Sequence, residues 1–308
     1  MAVTEVTAKA PASVGNVIVG FDILGLCLSA PFDTVTVRQI PQRGVQISQI
    51  DNATSIPLKA ELNTAGAALL ALLTEHTLPF GFDIHIRKGI PVGSGLGGSA
   101  ASAVAAIVAA NEFLPVRLTK AQKLRYASLG EAVASGAPHA DNVAPSLFGG
   151  LQLIGSEWQT TSLPLPPEIA FVVLYPDQRL DTKASRAVLQ KHFPLQAITK
   201  QQEFLAHFLV GCYTNCLETI GKSLKDVLIE PRRADLIDGF HQIQMAALEA
   251  GALGCSISGG GPSIVAVCKR QDQQRIQLAM LAASAKTSGT KVYCADAKTT
   301  GAYVEHKQ

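Results

Sequence analysis

Aromatic residues are few, 6% of the chain with a single tryptophan, and charged residues reach only 16%. The net charge is +2 over 308 residues. So weak a balance gives no field to hold a polyanion. The basic pairs Arg87-Lys88, Arg232-Arg233 and Lys269-Arg270 are short and carry no interleaved aromatics, so nucleic acid is not an expected partner. The six cysteines, Cys27, Cys212, Cys216, Cys255, Cys268 and Cys294, form no C-x-x-C pair. Cys212 and Cys216 lie one helical turn apart in an apolar stretch, with too few other ligands nearby for a metal. Buried reduced thiols fit this usage better than a disulfide framework, and they point to a cytoplasmic protein. The N-terminus MAVTEVTAKAPAS has no apolar h-region, so no signal peptide is expected. The longest apolar run, around Ala100 to Ala110, is about 12 residues, too short to span a bilayer. No internal repeat or low-complexity segment appears.

What is present is core material. Apolar residues make up 47% of a chain long enough for two domains. FDTVTVRQ and GVQISQI, within residues 31–50, alternate as strands do, and so does GFDIHIRK at 81–88. Residues 62–73 read as a helix, and the Ala-rich stretch 98–113 as another. A third covers 119–134, with Thr119 as its N-cap. GLQLIG is a short strand and IAFVVLYP, 169–176, a buried one. Helices are expected at 182–192, 196–220 and 232–250. GCSISGGGPSIVAVCK reads as strand, glycine-rich turn, strand, and KVYCADA as the last strand. The irregular alternation, with many strands looking antiparallel, gives an α+β fold in two domains. The polar, proline-rich run 156–168 is the seam, dividing 1–155 from 156–308.

Residues 91–102, PVGSGLGGSAAS, contain G-x-G-x-x-G at Gly93, Gly95 and Gly98. A dinucleotide site would need an acidic residue about 20 positions on, closing a second strand. Glu112 has that spacing but lies at a helix end with no strand before it. A Walker A motif is suggested only by Gly221-Lys222-Ser223, and Cys216 stands where its first glycine belongs. The remaining functional reading is a phosphate cradle. A glycine-rich loop feeding a helix N-terminus presents several backbone N–H groups, and the helix dipole, to an anion. Ser94 and Ser99 add hydroxyls. A plain glycine-rich connection would need none of this.

The fixed positions P-x-x-x-G-L-G-x-S-A-A, running from Pro91 to Ala101, resemble the phosphate-loop signature of the GHMP small-molecule kinases (galacto-, homoserine, mevalonate and phosphomevalonate kinases). The usual GLGSSA is GLGGSA here, so Gly98 replaces a serine. Two further blocks are similar. APASVGNVIVGFDILGLCL, 10–28, resembles the substrate-side block of the family's homoserine-phosphorylating members, with Ile18 where glycine is usual. GALGCSISGGGPSIVAV resembles the family's third block. PHADNVAPSLFGG, Ser185-Arg186 after DTKA, and DVLIEPRR follow in the family's order, so the resemblance spans essentially the whole chain.

The resemblance implies a two-domain GHMP kinase fold, with a ribosomal protein S5 domain 2-like N-terminal domain and a ferredoxin-like C-terminal domain. It implies ATP-dependent phosphorylation of the L-homoserine hydroxyl, toward threonine. Pro91, Val92, Gly93, Ser94, Gly95, Leu96, Gly97, Gly98, Ser99, Ala100 and Ala101 would hold ATP, with Asn63 near the adenine. Ser99 and Glu131 would hold Mg²⁺. Asp22 would meet the substrate ammonium, with Asn16 beside it. Arg186 and Arg233 would clamp the carboxylate, and His139 and Asn142 would line the pocket. Asn142 stands where related kinases carry an aspartate base, which implies catalysis without a dedicated base. The catalytic set is then Asn142, Arg186, Ser99 and Glu131. A homodimer is the expected assembly. Mevalonate- or sugar-type kinase activity, or metabolite binding without turnover, are the alternatives.

Overall fold

The computed structural model describes residues 4–190, 192–284 and 288–308. The first domain runs β1 (Glu5–Gly15), β2 (Leu24–Ile40), β3 (Val45–Asp51), α1 (Thr64–Glu75), β4 (Gly81–Arg87), α2 (Gly98–Ala110), α3 (Lys120–Ser135), α4 (Val143–Phe148), β5 (Leu151–Ile154) and β6 (Thr160–Leu163). The second runs β7 (Ile169–Tyr175), α5 (Thr182–Ala187), α6 (Leu195–Thr214), α7 (Leu217–Ser223), α8 (Glu230–Arg233), α9 (Phe240–Glu249), β8 (Gly254–Ile257), β9 (Ile264–Lys269), α10 (Gln273–Ala283) and β10 (Lys291–Asp296). A final strand, β11 (Tyr303–Lys307), returns to the first domain.

Among the described residues there are two sheets. The first has the order β11-β1-β2-β4-β3, with β5 paired to β2 and β6 to β5. Only β3 and β4 pair in parallel; the other pairs are antiparallel. The second has the order β10-β7-β9-β8, antiparallel throughout. With α9 between β7 and β8, and α10 between β9 and β10, this is the β-α-β-β-α-β order of a ferredoxin-like domain. The α+β expectation holds.

Helix α2 is the centre of the first domain. It packs on β1 and β2 and against α1 and α3, and Ala100 through Ala110 are all buried. Alanine keeps every face of the helix small enough for those neighbours, and a helix apolar all round belongs inside. Thr119 and Gln122 form a full capping box at the start of α3.

Several boundaries differ from expectation. β6 lies inside the run taken as the seam and pairs with β5, so a division at 155/156 cuts a sheet. The helix expected at 182–192 ends at Ala187. That expected at 196–220 breaks at Asn215, whose φ of 56° is left-handed. The one expected at 232–250 is a short turn, α8, and then α9. β1 and α10 add to the elements expected, and KVYCADA is followed by β11.

Candidate active site

The phosphate loop joins β4 to α2. Its carbonyls are tied back into the protein. Leu180 N donates to Gly93 O, Ser263 N to Ser94 O, Ser258 Oγ to Gly95 O and Ser13 N to Leu96 O. In a planar trans peptide the carbonyl and the next amide point opposite ways. The amides of residues 94–97 make no backbone hydrogen bond among the described residues, which leaves them as donors for an anion. Two glycines make this fold possible. Gly97, the N-cap of α2, has φ 67°, and a Cβ there would lie 2.9 Å from Asn142 Oδ1. Gly95, at φ 76°, lies against the 258–263 turn of the second domain; a Cβ there would be 2.5 Å from Gly261 O.

Beneath the loop is a buried ion pair. Lys88 Nζ bonds Asp33 Oδ2, donates to Gly98 O at 2.7 Å and reaches Ser102 Oγ at 2.9 Å. Asp33 also accepts from the Gly89 and Ile90 amides and from Ser102 Oγ. The pair ties the end of β4 to the first turn of α2. Sequence reasoning passed over both residues. The signal was there: Asp33 stands in register with Val35 and Val37 on the inward face of β2, a core position that a carboxylate occupies only when paired.

Ser99, in the first turn of α2, faces Glu131 on α3, with Oγ to Oε1 at 3.4 Å. The second oxygen of Glu131 accepts from Ser135 Oγ at 2.7 Å. Burial pushes the Glu131 carboxyl up to about 8, against the pull of Ser135 and Ser99. Ser99 O accepts from Thr64 Oγ1. The neighbouring Asn63 is the N-cap of α1: its side-chain oxygen accepts from Ala65 N and Gly66 N, and its amide donates to Pro57 O. It is 2% exposed, so its side chain serves the helix start first.

The other predicted residues converge on the far side of the loop. Asn16, Val17 and Ile18 are all left-handed, with φ 70°, 45° and 65°. Such a run is costly for β-branched residues and is typical of functional turns. Ile18, where the resembled block usually has glycine, takes this backbone as a β-branched residue. Asn16 Oδ1 accepts from Asp22 N and its amide donates to Gly259 O. Asp22 takes both ends of the Arg186 guanidinium, at 2.8 and 3.1 Å, with His139 Nδ1 at 3.9 Å. Arg233 is 2% exposed and donates to Ser185 O and Gly259 O. Burial, and Arg186 nearby, lower it to about 10. Phe21, which sequence reasoning left without a task, has the Arg186 and Arg233 guanidinia 5.5 and 5.4 Å from its ring centre. Asn142 accepts from Ser13 Oγ and donates to Asp141 Oδ2. His139 is held below its ordinary value by burial. Among the described residues the buried atoms Ser94 Oγ, Ser263 Oγ, His139 Nε2 and Arg186 Nε have no hydrogen-bond partner, as have Asp83 Oδ1 and Ser128 Oγ; the first four belong to the segments that build the site.

Known proteins resemble this chain in sequence and fold. Residues 63–150 match the family model described as GHMP kinases N terminal domain, and residues 208–286 match GHMP kinases C terminal. The chain belongs to the GHMP kinase family. It is 49% identical over 263 residues to a homoserine kinase of Xylella fastidiosa, covering 85% of this chain and 81% of that one. A homoserine kinase of Methanococcus vannielii is 38% identical over 269 residues, 87% and 89% of the two chains. The crystal structure of a homoserine kinase from Cytophaga hutchinsonii superposes with a TM-score of 0.92 at 37% identity, covering 97% of both chains. Within the GHMP kinases, this chain groups with the homoserine kinases.

Proposed function

We propose that this chain transfers the γ-phosphoryl group of ATP to the hydroxyl of L-homoserine, giving O-phospho-L-homoserine and ADP on the route to threonine. One observation carries the reading. The phosphate loop at Gly97 touches Asn142, and Asn142 stands beside the cluster of Asp22, Arg186 and Arg233 suited to a zwitterion. Phosphate and amino-acid groups would therefore meet at Asn142. Mevalonate has no ammonium for this cluster, and a sugar has neither charge.

The protein's share of the chemistry is placement and charge. The substrate hydroxyl oxygen attacks the γ-phosphorus, the bond to the β–γ bridging oxygen breaks, and ADP leaves. A loose transition state asks little of the nucleophile, so the hydroxyl proton can leave late, to a phosphoryl oxygen. Asn142 orients the hydroxyl, and the loop amides neutralise charge. Mg²⁺ takes oxygen ligands, few of them from protein, and the Ser99–Glu131 pair at the loop suits it. Arg186 and Arg233 would hold the carboxylate, and Asn16 and His139 the pocket wall. The unpaired thiols support a reducing, cytoplasmic setting. Exposed Met245 and Leu248 on α9, with Leu278 on the adjoining α10, are candidates for a homodimer contact.

A coupled ADP-release assay with Mg-ATP tests the proposal. L-homoserine should release ADP strongly, and mevalonate, galactose and L-serine weakly. Release with another alcohol would move the substrate assignment. Tight ATP binding with no release on any alcohol would favour a metabolite binder.

A further inference from the structure

We propose that Gln201, on α6 of the second domain, is a positioning residue for the amino-acid half of the pocket. Its side-chain amide holds the left-handed turn at 16–18 in the conformation that sets Asn16 and Asp22. The inference rests on the homoserine reading above and adds to it a residue that acts through others.

That turn has to be held. Val17 and Ile18 are β-branched and buried, yet they sit at φ 45° and 65°, directly after Asn16 at 70°. Side chains of this kind clash with their own backbone there, and such a run persists only where its surroundings over-determine it. Val19 N bonds Val17 O and Gly20 N bonds Asn16 O, which close the turn locally. Asn16 Nδ2 ties its start to Gly259 O. Half-buried Gln201 ties its end: Nε2 donates to Val19 O at 3.1 Å and to Lys225 O at 3.3 Å. Among the described residues the Val19 carbonyl has no second donor.

The other atom of the same amide reaches a second segment. Gln201 Oε1 accepts from Val227 N at 2.9 Å. Val227 stands next to Asp226, whose carboxylate accepts from the Leu228, Ile229 and Glu230 amides and so starts α8, the helix that carries Arg233. A side-chain amide donates and accepts at once, so one group bridges a carbonyl and an N–H; an ionised glutamate or a leucine cannot. Gln201 therefore joins the turn before Asp22 to the segment before Arg233. The effect passes onward through bonds already described: Asp22 N donates to Asn16 Oδ1, and Asp22 grips Arg186. None of Gln201's own bonds reaches the phosphate loop, so its loss should fall on the amino acid and spare the nucleotide.

The test uses the full chain and reads the L-homoserine KM beside the Mg-ATP dissociation constant from calorimetry. Gln201→Met keeps the length and loses every bond of the amide. The L-homoserine KM should rise by about tenfold, with the Mg-ATP constant moving by less than about twofold. Gln201→Glu keeps an acceptor for Val227 N but no donor for Val19 O, and should match Gln201→Met. Ile18→Gly removes the cost of the left-handed backbone. In that background Gln201→Met should raise the KM by less than about threefold. Ile18→Asn repeats this arm with a residue that also accepts the left-handed region, should the space left by glycine unfold the chain. Amide hydrogen exchange of the ligand-free protein needs no substrate: exchange at Asp22 should quicken by about tenfold in Gln201→Met, and exchange in α2 should not. An unchanged L-homoserine KM, an equal weakening of both ligands, or the same rise with and without Ile18 would overturn the proposal. Wild type inactive on L-homoserine would overturn the substrate reading alone; an unchanged exchange rate at Asp22 would then sink this proposal separately.

Discussion

Arg186, on α5 of the second domain, grips Asp22 of the first through two hydrogen bonds of 2.8 and 3.1 Å. The fork spans the two domains at the mouth of the site, so each residue fixes the other. Replacing Arg186 with methionine should cost about 2–3 kcal/mol of transition-state binding, or ~30–150-fold in kcat/KM for L-homoserine. Asp22→Asn should cost about as much. The double variant should lose far less than the sum, because the second change removes a partner already idle. Additive losses in steady-state kinetics would show that the two act separately.

Glu131 should govern the metal requirement. Glu131→Gln keeps the size and the Ser135 contact but removes the charge. Turnover should fall by ~100-fold or more, and half-saturation by Mg²⁺ should move to higher concentration. Ser99→Ala should shift the Mg²⁺ titration in the same direction by less. A titration curve unmoved by Glu131→Gln would remove the residue from the metal site.

The ligand-free protein should lose stability as pH rises through roughly 4 to 8. Glu131 and Asp141 are raised to about 8 and about 7 when folded, from ordinary values of 4.5 and 3.8. Inside that window the folded chain holds protons that the unfolded chain has released. The stability slope is therefore negative, up to about 1.4 kcal/mol per pH unit for each group. Melting temperatures without nucleotide should fall across the window, and the Glu131→Gln slope should be shallower. Equal slopes in the two proteins would mean that Glu131 titrates normally.

Adjacent glycines in the loop should behave differently. Gly97 is left-handed, and a Cβ there would press on Ser13 and Asn142. Gly97→Ala should abolish measurable ATP binding. At Gly98 a Cβ would lie 3.2 Å from Ile90 Cγ2 and 3.4 Å from Lys88 Nζ, tight but without a forbidden φ. Gly98→Ser, the residue usual in the resembling family, should change the ATP KM by less than about tenfold, within the ~1.4 kcal/mol that a small side-chain shift absorbs. Nucleotide titration calorimetry separates the two variants.

Lys88→Met should destabilise the fold by about 3–5 kcal/mol, because it strands Asp33 in the core. Adding Asp33→Leu should recover most of that in thermal unfolding. ATP affinity should not recover with it, since the link from β4 to Gly98 stays broken.

Local pattern made much of this legible. Periodicity located α1, α2, α3 and most strands, and the loop's glycines, with the order of the blocks, singled out residues that the fold brings near one another. What escaped was long-range. Nothing in TTSL marks it as a partner of β5, and β11 owes its place to β1, about three hundred positions away. Asn215 ends a helix through its backbone conformation, which the apolar periodicity around it does not reveal. The roles of Asp22 and Arg186 were read separately, as charges awaiting a substrate. Only the fold brings them onto each other.

The return of β11 to the first sheet also fixes how the two domains meet. The chain crosses between them twice, outward through residues 164–168 and back through 297–302, where Gly150 N meets Thr299 O and Ala302 N meets Ser146 O. Across the site the 258–263 turn is bonded to the phosphate loop and Arg186 to Asp22. With the crossings at one end and these bonds at the other, the phosphate and amino-acid halves of the pocket share one frame.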